Sequence, residues 1–461
     1  MSILAAFMVP HPPLIVPEVG KGAEAQIKET TDSYDEVGRQ IASLKPDTII
    51  ISSPHTLMYS DYFHISPGRG AKGSLANFNA PGTKFKEDYD DELVSKIGNL
   101  CDSRSFPAGT LGERDKDLDH GTMVPLYFIE KYCKDFKLVR LGLSGLSLPR
   151  HYEMGMIINE AVEELGRRAV FVASGDLSHK LQTYGPYGFA PEGPVYDERI
   201  MDVCGSGAFG KLFEFDEHFL DKAAECGHRS FVIMAGALDG KALDIRRLSH
   251  QDVTGVGYGI CTFRVTGEDA GRHFLDEYKK EKLTLLSEKE AKSDAYVRLA
   301  KATIEKYIKD HATMTVPSDL PDEMLSREAG AFVSIHEHGR LRGCIGTFLP
   351  TTDSIAEEII QNAIGAATRD PRFDPIEEDE LPFLEINVDI LSEPEDISSK
   401  DELDVKKYGV IVRNGGRRGL LLPDLDGVDT VDEQIRIAKN KAGIGPSESV
   451  TLQRFEVVRH I

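Results

Sequence analysis

Short, almost continuously apolar runs separated by amphipathic stretches dominate residues 1–267, and that alternation restricts the fold more than any other feature of the chain. The runs that read as strands are Leu4–Val9, Thr48–Ser52, Leu138–Leu143 and Val170–Ala173, with Val256–Val265 nearer the end. A strand with no polar face must be covered on both sides, which is the usual condition of a parallel sheet. Between the runs, Ala23–Leu44 and Tyr152–Arg167 space their apolar residues three or four apart, as helices that bury one stripe do. The expected fold is therefore α/β: a largely parallel, mixed sheet with helices on both faces. The last run, Gly255 to Val265, reads as a closing strand that can be antiparallel.

The pattern changes after Gly267. The stretch Asp276-Glu-Tyr-Lys-Lys-Glu-Lys282 is strongly charged, and residues 268–286 read as a linker between domains 1–267 and 287–461. Ser287-Glu-Lys-Glu290 has the capping-box form and predicts a helix from there to about Asp310. Strand candidates follow at Ala331–His336, Leu384–Leu391, Gly409–Arg413 and Leu452–Val457. Helical stretches at Ser354–Thr368 and Val431–Ala442 lie among them. That mixed order predicts a smaller α+β domain.

Charge narrows the partners. The 461 residues carry 54 Lys plus Arg against 76 Asp plus Glu, a net −22. A field of that sign repels phosphate backbones and anionic lipid, so neither nucleic acid nor a membrane surface is expected as a partner. No stretch approaches the roughly 18 apolar residues of a membrane helix. The run Ile3–Val9 lacks a basic flank and stops at Pro10-His-Pro-Pro13, unlike a signal peptide. The six cysteines, at 101, 133, 204, 226, 261 and 344, form no CxxC pair. Free thiols of a soluble cytoplasmic protein fit that scatter.

Three histidines stand just past the carboxyl ends of apolar runs: His11 after Val9, His55 after Ile51-Ser-Ser53, and His179 after Ala173-Ser-Gly-Asp-Leu-Ser178. Open α/β sheets bind ligands at that edge, so parallel strands would bring these side chains together. Two imidazoles and one carboxylate form a facial triad for ferrous iron that leaves positions open. Glu225, in Ala223-Ala-Glu-Cys-Gly-His228, is a candidate carboxylate, with Cys226 or Asp176 as alternative third ligands. His120, which opens the apolar stretch Gly121–Pro125, is placed to hydrogen-bond a substrate. Taken singly, Pro-His-Pro is equally a rigid turn and Ser-Pro-His-Thr a helix entry. The other ten histidines read as ordinary surface or core residues.

His11-Pro-Pro13, Ser53-Pro-His55, Asp119-His-Gly-Thr-Met-Val-Pro125 and Ser174-Gly-Asp-Leu-Ser-His179 resemble the class III extradiol ring-cleavage dioxygenases of LigB type and the related Memo proteins. The resemblance implies a non-haem Fe(II) oxidoreductase that opens a catechol-type aromatic ring with O2. His11, His55 and Glu225 would be the iron ligands, His179 the acid–base residue and His120 the second pocket histidine. A histidine titrating near neutrality suits deprotonation of a phenol that the metal has already acidified. Cys226 departs from that scheme: Memo-type proteins have a cysteine in the corresponding segment. A thiolate favours softer metals, so copper and zinc stand as alternatives to iron.

Residues 290–461 carry a second resemblance. Phe332-Val-Ser-Ile-His336, Leu341-Arg-Gly-Cys-Ile-Gly346, Asp370-Pro-Arg-Phe373 and Gly419-Leu-Leu-Leu-Pro423 are similar to the AMMECR-one domain. The fusion resembles the AmmeMemoRadiSam group, which implies radical-SAM and Memo-like partner proteins. A rival function follows: an iron- or copper-binding protein without oxygenase activity that serves a radical-SAM partner through this domain. A homodimer is also among the expectations. Within LRGCIG, Cys344 reads either as a nucleophile with His336 or His338 as base, or as a small hydrophobe in a glycine-bracketed buried strand. Arg342 and Arg372 read as anion ligands or as partners of the many carboxylates. Asn414-Gly-Gly-Arg-Arg-Gly419 predicts a hairpin turn. Gly255–Gly259 lacks the following helix of a dinucleotide fingerprint.

Overall fold

The computed structural model describes residues 3–112, 117–425 and 427–461. The chain divides between Lys279 and Lys280 into two compact units.

The first unit is built on a six-stranded sheet of β1 (Ile3–Val9), β2 (Thr48–Ser53), β3 (Lys137–Gly142), β4 (Ala169–Ser174), β5 (Lys241–Gln251) and β6 (Tyr258–Glu268). Its order is β3-β2-β4-β1-β6-β5. β3, β2, β4 and β1 run parallel, whereas β6 is antiparallel to β1 and β5. All four apolar runs expected to form parallel strands do so, and the closing strand is the antiparallel one.

Side chains of the central strands alternate between two separate cores. Phe7, Val9, Ile49, Ile51, Val170 and Val172 belong to one; Met8, Ile50, Phe171 and Ala173 belong to the other. The first core receives residues of α1 (Lys28–Leu44) and α2 (His120–Ile129). The second receives those of α3 (Leu148–Glu164) and α4 (His228–Ala237). Both faces of the sheet are thus covered, which is why its strands carry so few polar residues. β5 escaped the sequence reading for the opposite reason. It is an edge strand, Lys-Ala-Leu-Asp-Ile-Arg-Arg-Leu-Ser-His-Gln, whose charges protect an unpaired edge and hide the strand signal.

The connecting stretch is not a loop. Phe274–Lys292 forms one helix, α5, so Ser287 lies inside it and opens nothing. A run rich in Lys, Glu and Leu has the propensity to continue a helix through such a local cap signal. The next helix, α6 (Ala295–Asp310), is capped instead by Asp294, which accepts from the N–H groups of Tyr296 and Val297.

The second unit holds a seven-stranded antiparallel sheet of β7 (Ala331–Glu337), β8 (Arg340–Gly346), β9 (Leu384–Leu391), β10 (Glu395–Ile397), β11 (Tyr408–Asn414), β12 (Arg417–Leu421) and β13 (Thr451–His460). Its order is β8-β7-β9-β13-β11-β12, with β10 paired to β13. α7 (Ile355–Thr368) and α6 pack a core against β7 and β9. LRGCIG lies in β8, and Gly415-Gly416 turns the expected hairpin between β11 and β12. Among the described residues no helix is long and apolar enough to cross a membrane.

Candidate metal centre

Because β2, β4 and β1 are parallel neighbours, their carboxyl ends emerge side by side. His11 follows β1 by two residues and His55 follows β2 by two. The His11 and His55 Nε2 atoms are 3.0 Å apart. Cys226, in the loop before α4, brings its Sγ to 3.6 Å from the same His11 Nε2. These three donor atoms all lie within 4.8 Å of one another. Two imidazole nitrogens and a sulfur at that spacing are the donor set of a borderline or soft metal ion, and the arrangement fits one.

Glu225 is not one of these three clustered donors. Its carboxylate accepts the N–H of His228 at 2.6 Å, so it caps the amino end of α4 and is absent from the donor cluster. Orphan N–H groups at a helix start draw a carboxylate in this way. Burial pushes the Glu225 carboxyl up to about 7. Asp176 stands between the ligands. Its side chain accepts the His11 backbone N–H at 2.7 Å, and its own N–H donates to Cys226 Sγ at 3.3 Å. Its Oδ2 is 4.0 Å from His11 Nε2. Burial raises this carboxyl to about 6.

Of the two flanking histidines, His120 sits against the cluster. The His120 ring centroid is 4.0 Å from that of His55 and 5.4 Å from that of His11. Phe78 meets the His120 ring at 5.2 Å. His179 stacks on Tyr187 at 5.1 Å, and its backbone N–H donates to Ala224. Burial, followed by the charges of His55 and His11, takes His120 down to about 3. Burial also lowers His179, against the pull of Asp176. Burial therefore weakens both imidazoles as bases, His120 most of all. Burial raises the Cys226 thiol well above its ordinary range, helped by Asp176 and Glu225. A bound cation reverses that order and takes the thiolate.

Several supporting residues went unread in the sequence. Asp119 caps α2 through the Thr122 N–H at 3.0 Å and accepts the Ser53 hydroxyl at 2.6 Å. Ser53 in turn receives the His55 backbone N–H at 3.2 Å. Arg140, fully buried on β3, donates to Asp119 through Nε and a terminal nitrogen at 3.1 and 2.8 Å. Burial works against the charged carboxylate, yet the Arg140 charge and the Ser53 and Thr122 bonds hold its pKa below the usual range. The available signal was the one charged residue inside the apolar run Leu138–Leu143. Ser174, which ends β4, lies 2.9 Å from His11 Nδ1.

The second-unit candidates form their own group. Cys344 pairs across β8 and β7 with Ser334, whose hydroxyl donates to Sγ at 3.2 Å, and the Cys344 N–H donates to Asp370 at 2.8 Å. Arg342 is held by both oxygens of Glu380, at 2.6 and 3.0 Å, and by the Asp374 carbonyl at 2.7 Å. Arg372 pairs with Asp370. Both arginines are bound to carboxylates.

Comparison with known proteins agrees with this architecture. Residues 5–261 match the family described as the catalytic LigB subunit of aromatic ring-opening dioxygenase, and residues 297–460 match AMMECR1. Protein CA_C1420 of Clostridium acetobutylicum is 41% identical over 469 residues, covering 100% of this chain and 99% of its own length. A Thermotoga maritima protein is 53% identical over 167 residues, 36% of this chain and 96% of its own. Among solved structures, the uncharacterized protein PH0010 from Pyrococcus horikoshii is 31% identical and covers 36% of this chain and 88% of that one, with a TM-score of 0.34. The chain belongs to the LigB family, as a LigB/Memo-like domain joined to an AMMECR1 domain.

Proposed function

We propose that the first unit is a mononuclear metal-binding protein of Memo-like type, holding iron or copper through His11, His55 and Cys226. The observation that carries this reading is the mutual approach of the three donor atoms within 4.8 Å. In it, Glu225 is a helix cap and not a ligand, because its carboxylate already accepts from the start of α4. A bound ion would supply Lewis-acid and one-electron chemistry to an oxygen-donor molecule. Soft thiolate with imidazole favours copper(I) over the oxygen-rich sites that suit harder ions, and iron(II) also accepts imidazole.

Catechol ring opening is the second reading, favoured by the two further imidazoles, His120 and His179, that accompany the cluster. In it His179 would take the phenolic proton and His120, a weaker base, would hydrogen-bond the substrate; Phe78 and Tyr187 put aromatic rings against them.

Anaerobic titration of iron(II) and copper(I) into the wild type, His55→Ala, Cys226→Ala and Glu225→Gln tests the ligand set. One site is expected in the wild type and in Glu225→Gln, and none in the other two variants. Binding retained by Cys226→Ala and lost in Glu225→Gln would restore the carboxylate triad. Ring cleavage is tested by supplying catechols and O2 to iron-loaded protein. Activity that survives His179→Ala would remove that residue's acid–base role.

A further inference from the structure

Pro125 stands inside α2, the helix that His120 opens. Without an N–H, it cannot donate to the Gly121 carbonyl four residues back, the bond an uninterrupted helix makes there. The Gly121 carbonyl accepts instead from the Ser174 hydroxyl, at 2.6 Å. Ser174 is fully buried at the carboxyl end of β4. A carbonyl cannot donate, so the Ser174 proton is committed to Gly121. Toward His11 Nδ1, 2.9 Å away, the serine oxygen can then only accept.

We propose that Ser174, oriented by the Gly121 carbonyl that Pro125 leaves unpaired, is a positioning residue that fixes His11 as its Nδ1–H tautomer and presents the Nε2 lone pair to a metal ion. The metal part rests on the reading of His11 as a ligand; the tautomer part does not. The chain of donors has one direction: His11 Nδ1–H to Ser174, Ser174 O–H to Gly121. It continues on the other side of the ring, where His11 Nε2 can only accept from His55 Nε2, 3.0 Å away. In the metal-free protein His55 therefore carries its proton on Nε2 and must change tautomer before that nitrogen can bind an ion. Metal-bound histidines elsewhere are held by a hydrogen bond at the second ring nitrogen in the same way. Three short motifs separated in the sequence thus act on one imidazole.

Two-bond proton–nitrogen correlation spectra of the metal-free, 15N-labelled full chain test this, with the His11 signal assigned from His11→Gln. The wild type is expected to show His11 protonated at Nδ1 alone. Ser174→Ala is expected to give a mixture of tautomers and to weaken iron(II) or copper(I) binding by about 10–100-fold. Ser174→Thr, which keeps the hydroxyl, is expected to restore both. Wild-type His11 protonated at Nε2 would overturn the proposal, and that measurement needs no variant to fold. A pure Nδ1–H tautomer with undiminished affinity in Ser174→Ala would overturn it as well. Wild-type protein that binds neither ion, yet shows the Nδ1–H tautomer lost in Ser174→Ala, would sink the metal reading and support the tautomer assignment.

Discussion

Gly175 and Gly227 pack backbone against backbone: a Cβ built on Gly227 would stand 2.9 Å from the Gly175 Cα and run into the Phe231 ring. This contact lets the turn after β4 and the loop before α4 close on each other. It places Asp176 within reach of Cys226, whose N–H donates to the Asp176 carbonyl at 3.4 Å. Gly175→Ala drives a methyl into main chain, which cannot move aside as a side-chain tip would. The expected cost is about 1–3 kcal/mol or somewhat more, read as a thermal shift of about 2–4 °C per kcal/mol. Metal stoichiometry should fall with it, because the Cys226 loop must retreat from His11. A variant that melts like the wild type and binds metal normally would show that this contact does not set the spacing.

Breaking the Asp119–Arg140 pair strands a charge behind His55 and His120. Arg140→Met keeps the bulk and removes the partner, which costs about 3–5 kcal/mol for a buried pair. The sign with pH is fixed. In the wild type the Asp119 pKa is depressed, so the pair's contribution is present above the ordinary carboxylate value and lost as pH falls through the lower native one. In Arg140→Met the isolated carboxylate is driven toward its protonated form, so the deficit should be greatest near pH 7 and shrink toward pH 4. Thermal melts of both proteins across that range check the expectation. Adding Asp119→Asn to Arg140→Met should recover part of the loss at pH 7 and little at pH 4.

What could be read from residues alone follows from how far each signal reaches. β1, β2 and β4 were legible because strands buried on both faces are apolar throughout, and their ends placed His11, His55 and His179 at one edge. β5 was not, since its charges answer to an exposed edge. The helix start expected at Ser287 failed because a four-residue cap pattern says nothing about whether a helix is already running. The choice between Glu225 and Cys226 is harder still. They are adjacent in an irregular loop, and only the pull of the α4 amino end on one side chain and the Gly175–Gly227 contact under the other separate their directions. Ser174 read only as the first residue of the turn that leads to His179; its role depends on a proline about fifty positions earlier in the chain.

The carboxyls of Glu87 and Glu130 act on each other on the first unit, with Asp88 adding negative charge to Glu87 and Lys134 acting on Glu130. Burial, then the Glu130 charge, raises Glu87 to about 8 from an ordinary 4.5. Between those values the native state holds a proton that the unfolded chain does not. Stability therefore falls as pH rises from about 4.5 to about 8 and levels off above. Glu87→Gln mimics the protonated form and should melt higher than the wild type at pH 8, by a few degrees at most given the partial exposure of the site. The difference should vanish at pH 5. Equal melting temperatures at both pH values would show that native Glu87 does not hold the extra proton.

Glu358, on α7 of the second unit, is fully buried and faces the turn that follows LRGCIG. Its carboxylate accepts from the N–H groups of Thr351 and Thr352, at 2.7 and 3.1 Å, and from the hydroxyls of Thr347, Thr351 and Thr352. Burial by itself would raise its pKa; these donors hold it below the ordinary value. The turn is thus pinned by one charge, and Glu358→Ala leaves its donors without an acceptor. A hydrogen bond to a charged group contributes about 1.5–3 kcal/mol net of its exchange with water, and the cost of burying the Glu358 charge offsets part of the set, so a loss of about 3 kcal/mol is expected. The more specific readout is amide exchange. Thr351 and Thr352 should lose protection in Glu358→Ala far more than β7 or β9 does, and Glu358→Gln should fall between, since an amide oxygen accepts but carries no charge. Unchanged exchange at both threonines would mean that the turn is held by its own backbone and that Glu358 serves only to fill the core beside Asn362.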